Sequence, residues 1–159
     1  MDPLLRLLEE NALATHETLA AQLDTTPAEI KKRIKQLEHD RVILAYKAIV
    51  DDERAKRSTV KAVIEVRITP EREGGFDRIA HRIASYPEVD TCLLMSGGYD
   101  LLVILEGNSL QDIATFIAEK LSTIKGVIST ATRFRLKTYK ENGVSLAREI
   151  KSERLAVSP

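Results

Sequence analysis

Thr26-Pro27-Ala28-Glu29-Ile30-Lys31-Lys32-Arg33-Ile34-Lys35-Gln36-Leu37-Glu38 reads as a capped amphipathic helix with one basic face. Thr26 suits the N-cap, Pro27 the first helical position, and Glu29 the third position of a capping box. Ile30, Ile34 and Leu37 recur at helical spacing and form one apolar stripe. At about 100° per residue, Lys31, Lys32, Lys35, Gln36 and His39 fall on the opposite side. A solvated surface helix would look the same. A helix-turn-helix, however, uses a second helix of this kind to enter a major groove, so the flanking sequence matters.

Upstream, Asp2-Pro3 opens a helix carrying Leu4, Leu5, Leu7 and Leu8, closed by Asn11 and Ala12. Thr15 caps a second helix with Leu19, Ala20 and Leu23, and Asp24-Thr25 turns into the basic helix, which runs to about Asp40. Downstream, Val42 to Val50 is β-branched and aromatic and suits a short ribbon. Three helices and a ribbon make a winged helix-turn-helix over residues 1–50. Residues 51–58 are polar without apolar periodicity and read as a linker.

The second half changes period. Val60, Ala62, Ile64, Val66 and Ile68 alternate with polar neighbours as a strand, ended by Pro70. Phe76, Ile79, Ala80, Ile83 and Ala84 return to helical spacing. Val89 to Met95 and Tyr99 to Leu105 are strands about the Ser96-Gly97-Gly98 turn. Asn108 or Ser109 caps a helix through Ile124 that Gly126 stops. Ile128, Thr130, Thr132, Phe134 and Leu136 then alternate in a last strand. The order is βαββαβ, a ferredoxin-like unit over residues 59–143. Residues 144–159 form a tail with room for a short helix through Leu146 and Ile150. The fold class is α+β.

Composition narrows the function. The 159 residues are 43% hydrophobic and 30% charged, which fits a packed core under a soluble surface. No apolar run reaches the roughly 20 residues of a membrane span, and no secretory signal opens the chain, so a cytoplasmic protein is expected. Cys92 is the only cysteine, which excludes internal disulfides and clustered-thiolate metal sites; neither a metal nor a cofactor is expected. His16, His39 and His81 are too scattered for a ligand pair, and no nucleophile elbow or phosphate loop occurs. Net charge is zero, whereas many DNA-binding modules are strongly basic. The positive charge is local instead, four cations between Lys31 and Lys35, so one copy is expected to bind weakly.

The Ser96-Gly97-Gly98-Tyr99-Asp100 turn also has ligand chemistry. Glycines let backbone N–H groups converge on a carboxylate, and Asp100 can receive an ammonium. An α-amino acid offers both groups about 2.5 Å apart. A plain hairpin closed by two glycines fits the same residues.

Here the whole chain, from about Leu4 to Gly143, resembles a family. Ile34 to Ala48 is similar to the helix-to-wing junction of the leucine-responsive/asparagine-regulator (Lrp/AsnC) transcription factors. Leu94-Met95-Ser96-Gly97-Gly98-Tyr99-Asp100-Leu101-Leu102 resembles the hallmark hairpin of their amino-acid-sensing domain. The resemblance implies effector binding by Gly97, Gly98, Tyr99 and Asp100, with Thr130 and Thr132 contributing. It also implies homodimers, often gathered as tetramers of dimers, with the effector between subunits. Arg41 stands where the family commonly has Gly, so either Asp40 takes a left-handed conformation or the helix runs on.

The expected function is therefore a sequence-specific DNA-binding transcriptional regulator responsive to an amino acid or related small molecule. Lys31, Lys32 and Lys35 would mostly meet phosphates of double-stranded DNA, with Thr25, Ala28 and Glu29 near base edges, and Thr26 and Gln36 also counted in the interface. A ligand-sensing scaffold without DNA binding is a second reading. A third is an enzyme like the sirohaem decarboxylases, whose pattern calls for a histidine in the wing and around the hairpin. Ala45-Tyr46-Lys47-Ala48 and Leu101 to Leu105 contain none.

Overall fold

The computed structural model describes residues 2–70 and 75–146. The chain divides into two compact units, one through Ala48 and one from Ile49.

In the first unit, α1 (Pro3–Glu10), α2 (His16–Gln22) and α3 (Pro27–His39) pack around Leu4, Leu8, Leu19, Ala20 and Ile30. Side-chain caps start each helix: Asp2 accepts from the Leu4 amide, Thr15 from Thr18 and Thr26 from Glu29. Thr26 thus caps α3 as expected, but the reciprocal Glu29 bond of a capping box is not among the described hydrogen bonds. α2 ends with Asp24 at φ 49°, and the Thr25 amide returns to the Ala20 carbonyl. This turn sets the second helix against the third.

The end of α3 departs from both expectations. Neither Asp40 turns left-handed nor does the helix run on; Arg41 itself adopts φ 55°. The Arg41 amide donates to the Glu38 carbonyl and the Val42 amide to that of Leu37, at 3.1 and 2.9 Å. This is a Schellman motif with arginine at the position glycine usually fills. The bonds outweigh a Cβ penalty of about 1–2 kcal/mol.

The expected ribbon is also absent: no strand forms between Val42 and Val50. Leu44 there is 76% exposed, and Val42, Tyr46 and Ile49 are exposed to lesser degrees. A ribbon exists only when a second strand accepts its hydrogen bonds, and none of the described segments does. β-propensity alone does not supply that partner.

In the second unit, β1 (Val60–Ile68), α4 (Asp77–Ala84), β2 (Val89–Leu94), β3 (Leu101–Gly107), α5 (Leu110–Phe116) and β4 (Val127–Phe134) follow the βαββαβ order. The sheet is antiparallel in order β2-β3-β1-β4. Register places Ile64 opposite Val103 and Thr132, and Val66 opposite Leu101 and Thr130. One face therefore gathers Ala62, Ile64, Val66, Leu101, Val103 and Leu105, all buried. Ile79, Ile83, Ile113 and Phe116 of the two helices join the same core.

α5 continues as a π-helical turn, Ile117–Leu121, and stops at Ser122 rather than at Gly126. Gly126 instead takes φ +99° at the entry to β4, where an added Cβ would lie 2.6 Å from Ile79 Cδ1. Beyond β4, β5 (Lys140–Glu141) and β6 (Val144–Ser145) form a small hairpin about Asn142 and Gly143. Both turn residues have positive φ, 45° and 84°, as a type I′ turn requires. The tail expected from residue 144 thus begins as a strand; the helix expected through Ile150 lies outside the described residues.

Candidate functional site

The basic face of α3 is built by its own burial pattern. Ile30 is buried, and Ile34 and Leu37 pack beside it against the helical core. Helical geometry then turns Lys31, Lys32 and Lys35 to solvent. With Ala28 and Gln36 these three lysines line one shallow depression on the helix surface. Thr26 and Glu29 are exposed near the start of the helix, and Thr25 is half-buried in the turn before it.

Three of the polar side chains on α3, Arg33, Gln36 and Glu38, are already engaged. Arg33, the fourth cation of the run, turns inward and donates to Asp2 at 2.8 Å. Gln36 donates to both carboxylate oxygens of Asp40, at 2.9 Å each, on the helix surface. The Leu4 amide and then the Arg33 guanidinium hold the Asp2 carboxyl below its usual range. Near the end of α3, the Tyr46 hydroxyl donates to Glu38 at 3.1 Å, and burial followed by that carboxylate raises the phenol's pKa.

At the glycine hairpin, structure and chemistry diverge by residue. Gly97 has φ +132°, a conformation that L side chains rarely adopt. Gly98 has no such φ, and nothing lies within 4 Å of where its Cβ would stand. Within this chain, glycine is therefore required at 97 and not at 98. Asp100 supports the fold directly. Its Oδ2 accepts from the Ile68 amide at 2.8 Å, and its own amide donates to the Val66 carbonyl at 3.0 Å. Arg67 Nε donates to the Gly98 carbonyl at 2.8 Å. The hairpin is thus fastened to the end of β1.

Thr130 and Thr132 lie on β4, across β1 from the hairpin, and both are half-buried. Val66 joins the two groups, bonding Asp100 on one side and facing Thr130 on the other. With strands spaced about 4.8 Å apart, hairpin and threonines stand roughly 10 Å apart, which a small molecule can span. Tyr99 lies close enough to Arg133 to act on its charge, and Arg133 pairs with Glu65.

Cys92 is half-buried under α4 with its Sγ 3.9 Å from the Ala80 carbonyl, and burial raises its pKa. It packs as a small hydrophobe. No group of three or more metal-ligating side chains forms among the described residues. No helix among them is long and apolar enough to cross a membrane.

Sequence reasoning missed one feature entirely. A cleft of about 490 Å³ opens between the segment leading into β1 and the segment after β4. Its walls come from residues 50–61 and 135–146, which only the sheet order brings together, so no local signal marks it.

The model of the Lrp/AsnC ligand binding domain matches residues 61–145. The HTH-type transcriptional regulator YugG of Bacillus subtilis (strain 168) is 41% identical over 157 residues, covering 98% of this chain and 95% of its own. LysM of Saccharolobus solfataricus, also an HTH-type transcriptional regulator, is 29% identical over 136 residues, covering 86% and 91%. Among solved structures, the transcriptional regulator NMB0573 of Neisseria meningitidis in complex with L-Met superposes with a TM-score of 0.69. It is 26% identical, and the match covers 91% of this chain and 92% of that one.

Proposed function

This chain belongs to the Lrp/AsnC family of HTH-type transcriptional regulators, and on that footing we propose that it is a homo-oligomeric repressor or activator whose assembly or DNA affinity responds to an amino acid or related small molecule. Residues to about 50 engage double-stranded DNA, 51–58 link, and the βαββαβ unit senses and assembles in the cytoplasm without catalysis of its own. One observation carries the DNA reading: α3 buries Ile30 and leaves Lys31, Lys32 and Lys35 exposed together. Those lysines fit phosphates, while Thr25, Thr26, Ala28 and Glu29 at the helix start fit base edges.

Gly98 supports the effector reading. A glycine with no φ demand and open space beside it suits close approach by a ligand or a second copy. A ligand α-carboxylate would meet the Gly97-Gly98 backbone, with Tyr99, Thr130 and Thr132 around its body. NMB0573, solved with L-Met, makes an amino acid the first class of effector to try.

The test is fluorescence anisotropy on the chain's own promoter duplex and on a scrambled one. Lys32→Ala with Lys35→Ala should weaken binding to both by about tenfold, since each phosphate contact contributes without regard to sequence. Undiminished binding would remove α3 from the interface and favour the scaffold reading. Light-scattering mass across the twenty amino acids tests the effector, which should shift the mass for one compound.

A further inference from the structure

The cleft between residues 50–61 and 135–146 is lined by four cations and four carboxylates, but the two signs are not equally engaged. Asp52 pairs with both Lys61 and Arg135, at 3.7 and 3.3 Å. Glu141 pairs with Arg135 at 3.7 Å, and Asp51 with Arg54 at 3.4 Å. Glu53 also has a partner. Lys61 has a further partner in Glu106.

Two cations of the lining are left over. Among the described residues, neither Arg57 nor Lys137 is in an ion pair with a carboxylate. Lys137 instead holds its ammonium 5.1 Å from the centroid of the Tyr139 ring, and that ring is 69% exposed. The Thr59 hydroxyl, in the same wall, is shut off from solvent with no hydrogen-bond partner. Such a group is uncommon in a folded protein and points to a missing partner. The volume suits a small organic molecule, since ligand clefts span about 300–1,000 Å³.

We propose that this cleft is a second small-molecule site, separate from the glycine hairpin, which takes a small organic anion with a flat apolar body. The carboxylate or phosphate head meets Arg57 and Lys137, and the body lies against Tyr139. The anion class follows from placement, since the lining as a whole is neutral: each carboxylate in it has a partner, whereas Arg57 and Lys137 are its cations outside any ion pair among the described residues. Occupancy would also tie the segment leading out of the DNA-binding unit to the segment after β4. A ligand here therefore acts on the linker, by a route independent of the hairpin.

Isothermal titration calorimetry of the full chain tests this, with phenyl phosphate, benzoate and inorganic phosphate as probes. Phenyl phosphate or benzoate should bind saturably, and whichever binds more tightly identifies the head group. Inorganic phosphate should bind at least several-fold more weakly than phenyl phosphate, because it lacks the body. Arg57→Gln with Lys137→Gln should weaken binding by about tenfold, the modest loss that exposed ion pairs allow. Tyr139→Leu should weaken the aromatic probes and leave inorganic phosphate unchanged. Lys32→Ala with Lys35→Ala should leave all binding intact, which separates this cleft from the basic face of α3. No saturable binding to about 10 mM, a fall only in the α3 variant, or indifference to the Arg57 and Lys137 changes would each overturn the proposal.

Discussion

Arg33 Nη2 donates to Asp2 Oδ1 at 2.8 Å, so the one cation of the basic run that turns inward fastens α3 to the cap of α1. The same oxygen accepts from the Leu4 amide at 2.9 Å. A single carboxylate therefore starts one helix and locates another.

Asp2→Ala removes both bonds and should destabilise the first unit by about 1–2 kcal/mol, combining a lost N-cap with a half-exposed ion pair. The pH dependence has a definite sign. The Leu4 amide, and then Arg33, depress the folded pKa below the ordinary 3.8. The contribution is thus complete above that value and lost as pH falls through the folded pKa. Urea unfolding from pH 6 to pH 2 checks this: part of the acid destabilisation should disappear in Asp2→Asn.

Arg41 sits at φ 55° at the end of α3. Arg41→Gly should stabilise the unit by about 0.5–1 kcal/mol, the relief of Cβ crowding less the added freedom of the unfolded chain. Arg41→Val should destabilise it, because a β-branched side chain is poorly tolerated at this φ. Equal midpoints for the three proteins would mean that the Schellman turn does not form in solution.

Asp100 holds the Ile68 amide through a part-buried bond. Asp100→Ala leaves that donor without its partner and should cost about 1–3 kcal/mol. Asp100→Asn keeps an acceptor and should recover most of the loss. Thermal melts of the pair separate this structural role from effector binding, which a stable Asp100→Asn protein then reports by itself.

Gly97 and Gly98 should behave differently despite being adjacent. Gly97→Ala forces a side chain to φ +132° and should cost about 1–3 kcal/mol of stability. Gly98→Ala meets open space and should leave stability within about 0.5 kcal/mol. In the effector reading it nonetheless lowers effector affinity by tenfold or more, read by calorimetry. Normal amino-acid binding by the Gly98→Ala protein would sink the assignment of that residue.

The helices of this chain were legible because their signals are local. Asp2, Thr15 and Thr26 announce caps, and Ile30, Ile34 and Leu37 mark the inner face of α3. The strands of the second unit were legible because alternation along Val60 to Ile68 matches the pleat. What escaped notice is relational. Val42 to Val50 has the composition of a strand but no described partner. Asp100 also has a structural role that only its pairing with Ile68, 32 positions away, reveals. Asn142-Gly143 did carry a hairpin signal, which the domain boundary at 143 cut in two.

The inward turn of Arg33 also limits how tightly one head can hold DNA. With that cation committed to Asp2, the interface proposed for α3 has Lys31, Lys32 and Lys35 as its cations for phosphates. Counterion release then gives a slope of about −2.7 in log K against log salt, or roughly 40-fold in affinity between about 50 and 200 mM. Two heads on one duplex double the exponent to about −5.4, and the loss approaches roughly 2,000-fold. A lone head is thus only moderately responsive to ionic strength, while an assembled particle is steeply so. Assembly and ion concentration act on the same exponent.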